Sequence, residues 1–326
     1  MPLKKDNFYL EDFNYPTRVR LEACTLCQLD CAECYMRLYK NSSLGAGYLK
    51  LDDFVKFLNL NPYIKEIDLA YSGEIFLNPE LGDIIKYAYS KNVSLTADSG
   101  VNFNDVSDDL LECMVKYRFR YLKISIDGWN QESYEKYRRN GNFNKVIANI
   151  KRLNEFKQRY SSDLPELTWK YVIFEHTDNP EGASIAKKLS EDLGFKDFRF
   201  SRAWDGYLAK NINKAPGVKS LYSGTKVYCS QLWMSPQINW DGRFFGCCIN
   251  HETPYNDESL FEIPLSEYLE RPIIKNTKQM LMGQACSGEC NPYCQKLCHH
   301  YTVMKAEKHF ISENDLASGK VMKVTI

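Results

Sequence analysis

The chain has 326 residues, long enough for one large core with a smaller appended domain. Its 42 Lys and Arg are matched by 42 Asp and Glu, so net charge gives no reason to expect nucleic acid or an anionic membrane as partner. No apolar run approaches the roughly 20 residues that span a bilayer, and the opening MPLKKDNFYLEDF lacks the apolar core and cleavage site of a signal peptide, so the expected location is cytoplasmic.

Residues 1–16 read as an N-terminal extension, and residues 17–204 alternate strand and helix signals. TRVRLEA (17–23) alternates charged and less polar residues, as a half-buried strand does. IKEIDLAYS (64–72) is a second strand, followed by a helix in LNPELGDIIKYAYSKN with Leu81, Ile84, Ile85 and Ala88 on one face. VSLTA (93–97) is the third strand, DDLLECMVKYRF a helix, and YLKISID (121–127) the fourth strand. Residues 144–160 carry Val146, Ile147, Ile150, Leu153 and Phe156 at helical spacing. LTWKYVIF (167–174) is a fifth strand, GASIAKKLSEDLG a helix ended by Gly194, and FRFS (198–201) a sixth strand. Strands alternating with helices imply right-handed βαβ units and a parallel sheet. Six units are too few for a closed eight-stranded barrel, so the predicted class is α/β, an open partial (β/α)6 barrel. Residues 205–226 lack periodicity and read as a linker; a small Cys-rich domain is expected over 227–300, and 301–326 is an uninformative tail.

Twelve cysteines in a cytosolic chain call for a role other than disulfides. Four fall within 24–34 and four within 286–298; only Cys113, on a helix, stands far from the others, where it packs as a small hydrophobe. Cys27, Cys31 and Cys34 follow strand one at the spacing Cys-x3-Cys-x2-Cys. Clusters of the [4Fe-4S] type are held by four thiolates, so three on one loop leave one iron open. Cys24-x2-Cys27 and Cys31-x2-Cys34 are the competing zinc pairs, but the gap between them is much shorter than zinc ribbons use. Sites in parallel α/β folds gather at the C-terminal ends of strands, where this loop lies. Strand two ends in Ser72-Gly73-Glu74, strand three in Asp98-Ser99-Gly100 and strand four in Ser125-x-Asp127-Gly128, itself a strong turn signal.

The cysteine loop resembles the signature of the radical S-adenosylmethionine (SAM) superfamily, and the other strand ends fall in register with it. The resemblance implies that SAM chelates the open iron, that Ser72, Gly73 and Glu74 take the place of a Gly-Gly-Glu motif binding the SAM amino group, and that Ser125 contacts its ribose or carboxylate. It implies that Arg138 pairs with the SAM carboxylate, and it places Asp98 at a Thr-Asn-Gly-like turn of relatives. One departure is Glu33, which stands where the family carries an aromatic residue near the adenine. The C-terminal set, Cys229, Cys247, Cys286, Cys290, Cys294 and Cys298 with the hairpin-like QINWDGRFFGCC, resembles the SPASM/twitch extension that carries auxiliary [4Fe-4S] clusters. The spacing departs from the two-cluster pattern: one or two auxiliary clusters stay open, with Cys248, His299 or His300 as possible completing ligands and a structural zinc site as the runner-up.

The resemblance implies reductive cleavage of SAM to a 5′-deoxyadenosyl radical, with the electron supplied by a donor such as flavodoxin or ferredoxin. The radical abstracts a hydrogen from a peptide or protein, giving oxidation, a cross-link or epimerisation; the alternative substrate is a small molecule such as a carbohydrate. Only about 16 residues precede strand one, fewer than a leader-recognition domain needs, which weighs against a leader peptide. A non-catalytic iron–sulfur or zinc protein is the alternative of another class, and the in-register Ser72-Gly73-Glu74 and Ser125 argue against it.

Overall fold

The structure, a computed structural model, describes residues 15–34, 42–203, 211–212, 229–247, 249–285 and 288–317. Nearly all of the expected N-terminal extension and linker, the end of the tail, and Cys248 and Cys286 lie outside the described residues. Seven strands are present among the described residues: β1 (Arg18–Leu21), β2 (Glu66–Asp68), β3 (Ser94–Val101), β4 (Tyr121–Ser125), β5 (Glu166–Ile173), β6 (Asp197–Arg202) and β7 (Gln237–Ile238). The chain divides into two compact units, each assembled from separated stretches. One holds the residues up to Leu21, Asp52–Glu66 and those from 229 on; the other holds the described parts of Glu22–Leu51 and Ile67–Ser223.

In the second unit β2 to β6 lie side by side in chain order. The pairs β3–β4, β4–β5 and β5–β6 are parallel, with Ser125 opposite Lys170 and Lys170 opposite Arg199. Parallel neighbours need a crossover, and the helices Leu81–Ser90, Asp108–Lys116, Phe143–Arg159 and Pro180–Asp192 supply them. Each of the last three begins where the sequence offers an acceptor for an orphan N–H: Ser107 accepts from Leu110, Asn142 from Lys145 and Asn179 from Gly182. Leu81, Ile84, Ile85 and Ala88 are buried together, as their spacing predicts. Successive strand residues face opposite sides. On β5, Trp169 and Tyr171 pack against Phe195, Phe198 and Phe200, which leaves Thr168, Lys170 and Val172 on the other face. A register shift between Ala97 and Val101 marks a bulge in β3, and Gly100 within it has a φ of +117°.

In the first unit β1 pairs in parallel with β7, Arg20 opposite Gln237 and Leu21 opposite Ile238. The hairpin read from QINWDGRFFGCC is present: Ile238 bridges Phe244 antiparallel, and Gly242, at φ +86°, closes a turn by donating to Asn239 O at 3.0 Å. That the strand opening this hairpin also joins β1 was not foreseen, because two residues are too short for a periodicity signal. The helix Leu51–Leu60, burying Phe54, Phe57 and Leu58, was not foreseen either.

Candidate active site

The cysteine loop leaves β1 under backbone restraint. Ala23 N–H donates to Leu69 O and Leu49 N–H to Ala23 O, both at 3.0 Å. Further on, Asp30 N–H donates to Arg139 O at 3.1 Å and Ala32 N–H to Tyr137 O at 3.2 Å. The loop is thereby tied to the segment that carries Arg138. Cys27 is exposed, Cys31 buried and Cys34 half-buried. Cys31 belongs to an apolar cluster with Tyr137, Val172, Phe174 and Ala203, against which Leu29, Ala32 and Cys34 pack. Two of the three sulfurs face N–H donors: Asn102 Nδ2 lies 3.6 Å from Cys27 Sγ, and Arg138 Nη1 lies 3.8 Å from Cys31 Sγ. Although part of Cys27 is open to solvent, the protein packed around its sulfur desolvates the free thiol and pushes it up to about 12, with Glu74, Cys31 and Cys34 adding to it. Burial also raises Cys31, against the pull of Arg138. Cys24, just past β1, is a buried thiol whose S–H donates to Leu26 O at 3.8 Å.

Ser72-Gly73-Glu74 lies against this loop at backbone contact. A Cβ on Gly73 would stand 2.4 Å from Cys24 O, 2.5 Å from Thr25 C and 2.6 Å from Leu26 O, so only glycine fits. Glu74 N–H donates to Leu26 O at 2.8 Å. The Glu74 carboxylate is buried and turned into the protein, where it accepts from Asn102 N–H at 2.6 Å and Phe76 N–H at 3.4 Å. Burial raises it to about 7, with those bonds opposing. A residue missed in the sequence, Glu22, supports the same segment: its carboxyl accepts from Ser72 N–H at 2.9 Å and Gly73 N–H at 3.5 Å. Burial pushes Glu22 up to about 8. Asn102 was missed as well, since a lone Asn after a strand carries no signal of its own.

Asp98 is engaged by Lys123 Nζ at 2.8 Å, and its N–H donates to Asp68 at 2.9 Å. Arg138 is engaged by Asp127, Nε to Oδ2 at 2.7 Å, and the other Asp127 oxygen accepts from Val172 N–H at 2.7 Å. Asp127, fully buried, is therefore an ion-pair partner as well as a turn residue. Ser125 is buried at the end of β4. Beside it stands Lys170, whose Nζ donates to Ser99 O at 3.1 Å.

The described C-terminal cysteines, Cys229, Cys247, Cys290, Cys294 and Cys298, are all buried. Cys294 is pushed up to about 12 by burial first, with Cys298 and Cys290 adding to it, which places these three thiols near one another. Ile249 N–H lies 3.4 Å from Cys247 Sγ and Tyr255 Oη 3.9 Å from Cys294 Sγ. No group of three or more His, Cys, Asp or Glu is gathered around a single point among the described residues. The ligands of a cubane each bind a different iron and so stand wider apart than the ligands of one ion.

Residues 21–164 match the sequence model of the radical SAM superfamily. That stretch belongs to the superfamily. The chain is 27% identical over 144 residues to the AdoMet-dependent heme synthase of Methanosarcina barkeri, covering 44% of this chain and 40% of that protein. It is 25% identical over 148 residues to the subtilosin biosynthesis protein AlbA of Bacillus subtilis, covering 44% of this chain and 32% of AlbA. The chain thus spans less than half the length of these curated relatives. Its fold is similar to that of Streptococcus suis SuiB bound to S-adenosylmethionine, with a TM-score of 0.62 and 11% identity over 89% of this chain and 72% of SuiB. The architecture is the partial-barrel α/β fold expected, followed by a Cys-rich C-terminal segment. SAM and a [4Fe-4S] cluster are the cofactors of this superfamily, and three thiols on one loop, two of them facing N–H donors, fit that donor set. No helix among the described residues is long and apolar enough to cross a membrane.

Proposed function

We propose that this chain is a radical SAM enzyme acting on a peptide or protein, with Cys27, Cys31 and Cys34 as the ligands of the SAM-binding cluster. The observation that carries the reading is the seating of the cysteine loop: Gly73 packs on the backbone of 24–26, and Asn102 and Arg138 present N–H groups to Cys27 and Cys31. When bound, the reduced cluster supplies one electron to SAM, giving methionine and a 5′-deoxyadenosyl radical that takes a hydrogen atom from the substrate. The residues of this chain position and shield that chemistry. Asn102 and Arg138 stabilise negative charge on two of the sulfurs. The inward-turned Glu74 fixes the loop, so the acceptors that Ser72-Gly73-Glu74 offer an ammonium are backbone carbonyls. Cys31, Tyr137, Val172 and Phe174 form an apolar wall that excludes water. The electron comes from a donor such as flavodoxin or ferredoxin.

We assign the radical SAM core to 17–204 and an auxiliary-cluster domain to 227–300, with Cys229, Cys247, Cys286, Cys290, Cys294 and Cys298 as candidate ligands of one or two clusters. The peptide reading is supported by AlbA, whose name ties it to bacteriocin biosynthesis. The match to a heme synthase favours a small molecule as the second reading. Anaerobic reconstitution tests the core claim. Cys27→Ala, Cys31→Ala and Cys34→Ala are each expected to lose about four irons per chain and all 5′-deoxyadenosine formation. Unchanged iron in all three, or no 5′-deoxyadenosine from the reduced wild type, refutes it. For the substrate, deuterium transfer into 5′-deoxyadenosine is measured with fractions of deuterium-grown cells. Transfer from a protease-sensitive fraction supports a peptide or protein; transfer from the small-molecule fraction alone supports the second reading.

A further inference from the structure

The turn that follows β3 holds one side chain in a single place. Asn102 is buried, and its backbone N–H donates to the buried Glu74 carboxylate at 2.6 Å. The next residue, Phe103, is fully buried with a φ of +59°. Residues with a Cβ seldom adopt this left-handed conformation, and it persists only where the surroundings over-determine it. Here they do. Asn149 Nδ2 donates to Phe103 O at 3.0 Å and to Asn104 O at 3.2 Å. Asn104 is itself tied down: its Nδ2 donates to Tyr134 Oη at 2.9 Å, and its Oδ1 accepts from Asn142 N–H at 2.7 Å. Such strain gathers at functional sites, and its product is an Asn102 amide turned to the cysteine loop.

That amide can face only one way. Asn104 N–H, which can only donate, meets Asn102 Oδ1 at 3.0 Å, so Nδ2 is the atom 3.6 Å from Cys27 Sγ. Gln28 enforces the same choice. Its Nε2 donates to the Asp105 carboxylate at 2.9 Å and to Asn102 Oδ1 at 3.3 Å, which leaves its Oε1 to accept from Asn102 Nδ2 at 3.1 Å. Asp105 is in turn ion-paired with Lys145. Of the two hydrogens on Asn102 Nδ2, Gln28 takes one and the other is left for the sulfur. The free Cys27 thiol turns its own S–H to Gln28 Oε1 at 3.8 Å. A metal-bound thiolate has no hydrogen to give, and Asn102 is then its donor.

We propose that Asn102 is a positioning residue that sets the reduction potential of the cluster held by Cys27, Cys31 and Cys34, and that Gln28 and Asp105 fix the polarity of its amide. The proposal rests on the reading of these cysteines as cluster ligands. A donor to a thiolate favours the more negative, reduced cluster and so raises its potential. Two variants test this. Asn102→Asp keeps an oxygen for Asn104 N–H, so the turn still closes, and replaces the N–H that faces Cys27 by an oxygen. Gln28→Leu removes a side chain whose hydrogen bonds all run to other side chains. Both full chains are reconstituted anaerobically and titrated against redox mediators, with electron paramagnetic resonance read at each potential. The signal of this cluster is the one lost in Cys31→Ala. At a fixed potential the ratio of reduced to oxidised cluster is expected to fall about tenfold in Asn102→Asp, a shift of about 59 mV for one electron. It falls in the same direction but less in Gln28→Leu, with iron per chain unchanged. Wild-type midpoints in both variants overturn the proposal, and iron loss with an unmoved midpoint does so too, since it shows a merely structural role. Should Asn102→Asp hold no iron, Gln28→Leu decides: a lowered midpoint supports the proposal and an unchanged one overturns it. If Cys31→Ala loses no signal, the cluster reading itself falls and takes the proposal with it.

Discussion

Gly73 is the position at which one methyl group separates a folded loop from a displaced one. In Gly73→Ala the new Cβ meets three backbone atoms at 2.4, 2.5 and 2.6 Å, and relief to 3.4 Å requires movements of 0.8–1.0 Å. No flexible side chain can absorb this, because all three atoms belong to the backbone of Cys24, Thr25 and Leu26. Overpacking of this kind costs about 1–3 kcal/mol, and weakening of the Glu74 N–H to Leu26 O bond adds about 1 kcal/mol. A total of about 2–4 kcal/mol corresponds to a fall in Tm on the order of 3–6 °C for a chain of this length. The displacement is delivered next to Cys27, so iron retention falls with stability. The control is Gly82→Ala, in the helix Leu81–Ser90, where the nearest atom to the new Cβ is Leu110 Cδ1 at 3.9 Å. There alanine gains about 0.5–1 kcal/mol over glycine. Melting curves and iron analysis of both variants are the assay. A Gly73→Ala chain that melts like the wild type and holds the same iron refutes the reasoning, since it shows that the two segments do not touch as described.

Arg138→Met leaves the fully buried Asp127 without its cation. Breaking such a pair costs about 3–5 kcal/mol, and a thermal melt within a degree of wild type contradicts the pairing. Glu22 gives a pH signature. Its folded value is raised from 4.5 to about 8, so between those values the folded chain keeps a proton that the unfolded chain has lost. Stability from this group is present below the unfolded value and is lost as pH rises through the folded one, by at most about 1.4 kcal/mol per pH unit. Glu22→Gln cannot ionise, so urea midpoints at pH 5 and pH 8 are expected to fall further for wild type than for the variant; parallel changes exclude a buried neutral Glu22. In the C-terminal segment, Cys294→Ala is expected to lower iron by about four atoms per chain while leaving the N-terminal cluster intact. Electron paramagnetic resonance of the reduced protein checks this, and an unaltered iron content removes Cys294 from the ligand set.

The strands and crossover helices were legible because their signals are local. Leu81, Ile84, Ile85 and Ala88 repeat at helical spacing, and Ser107, Asn142 and Asn179 mark helix starts one residue before the turn they cap. What was missed is short or depends on distant partners. β7 has two residues and exists because Arg20 and Leu21 offer it a ladder. In the site, the cysteine loop announced itself by spacing alone. Asn102 did not, because its relation to Cys27 spans 75 positions. Glu22 was read as part of a half-buried alternating strand, where a charge suggests solvent; instead it is buried beneath Ser72 and Gly73.

The same inversion runs through the β3–β6 sheet and explains why Lys170 was hard to single out. In an ordinary amphipathic strand the polar face meets water, so alternation by itself does not tell whether Lys123, Thr168 and Lys170 face solvent or the inside of a barrel. In a barrel the apolar face is the outer one, where Trp169 and Tyr171 of β5 pack against Phe195 and Phe200, and the polar face turns to the interior. Charges there are not screened by solvent, and each needs a partner within the fold. Asp98 and Asp127 answer Lys123 and Arg138 in this way, while Asp197 and Arg199 pair where solvent still reaches them. Lys170 donates instead to Ser99 O at 3.1 Å, and Gly100 next to it is held so close to the Ser125 hydroxyl that a Cβ there would stand 2.4 Å from Oγ.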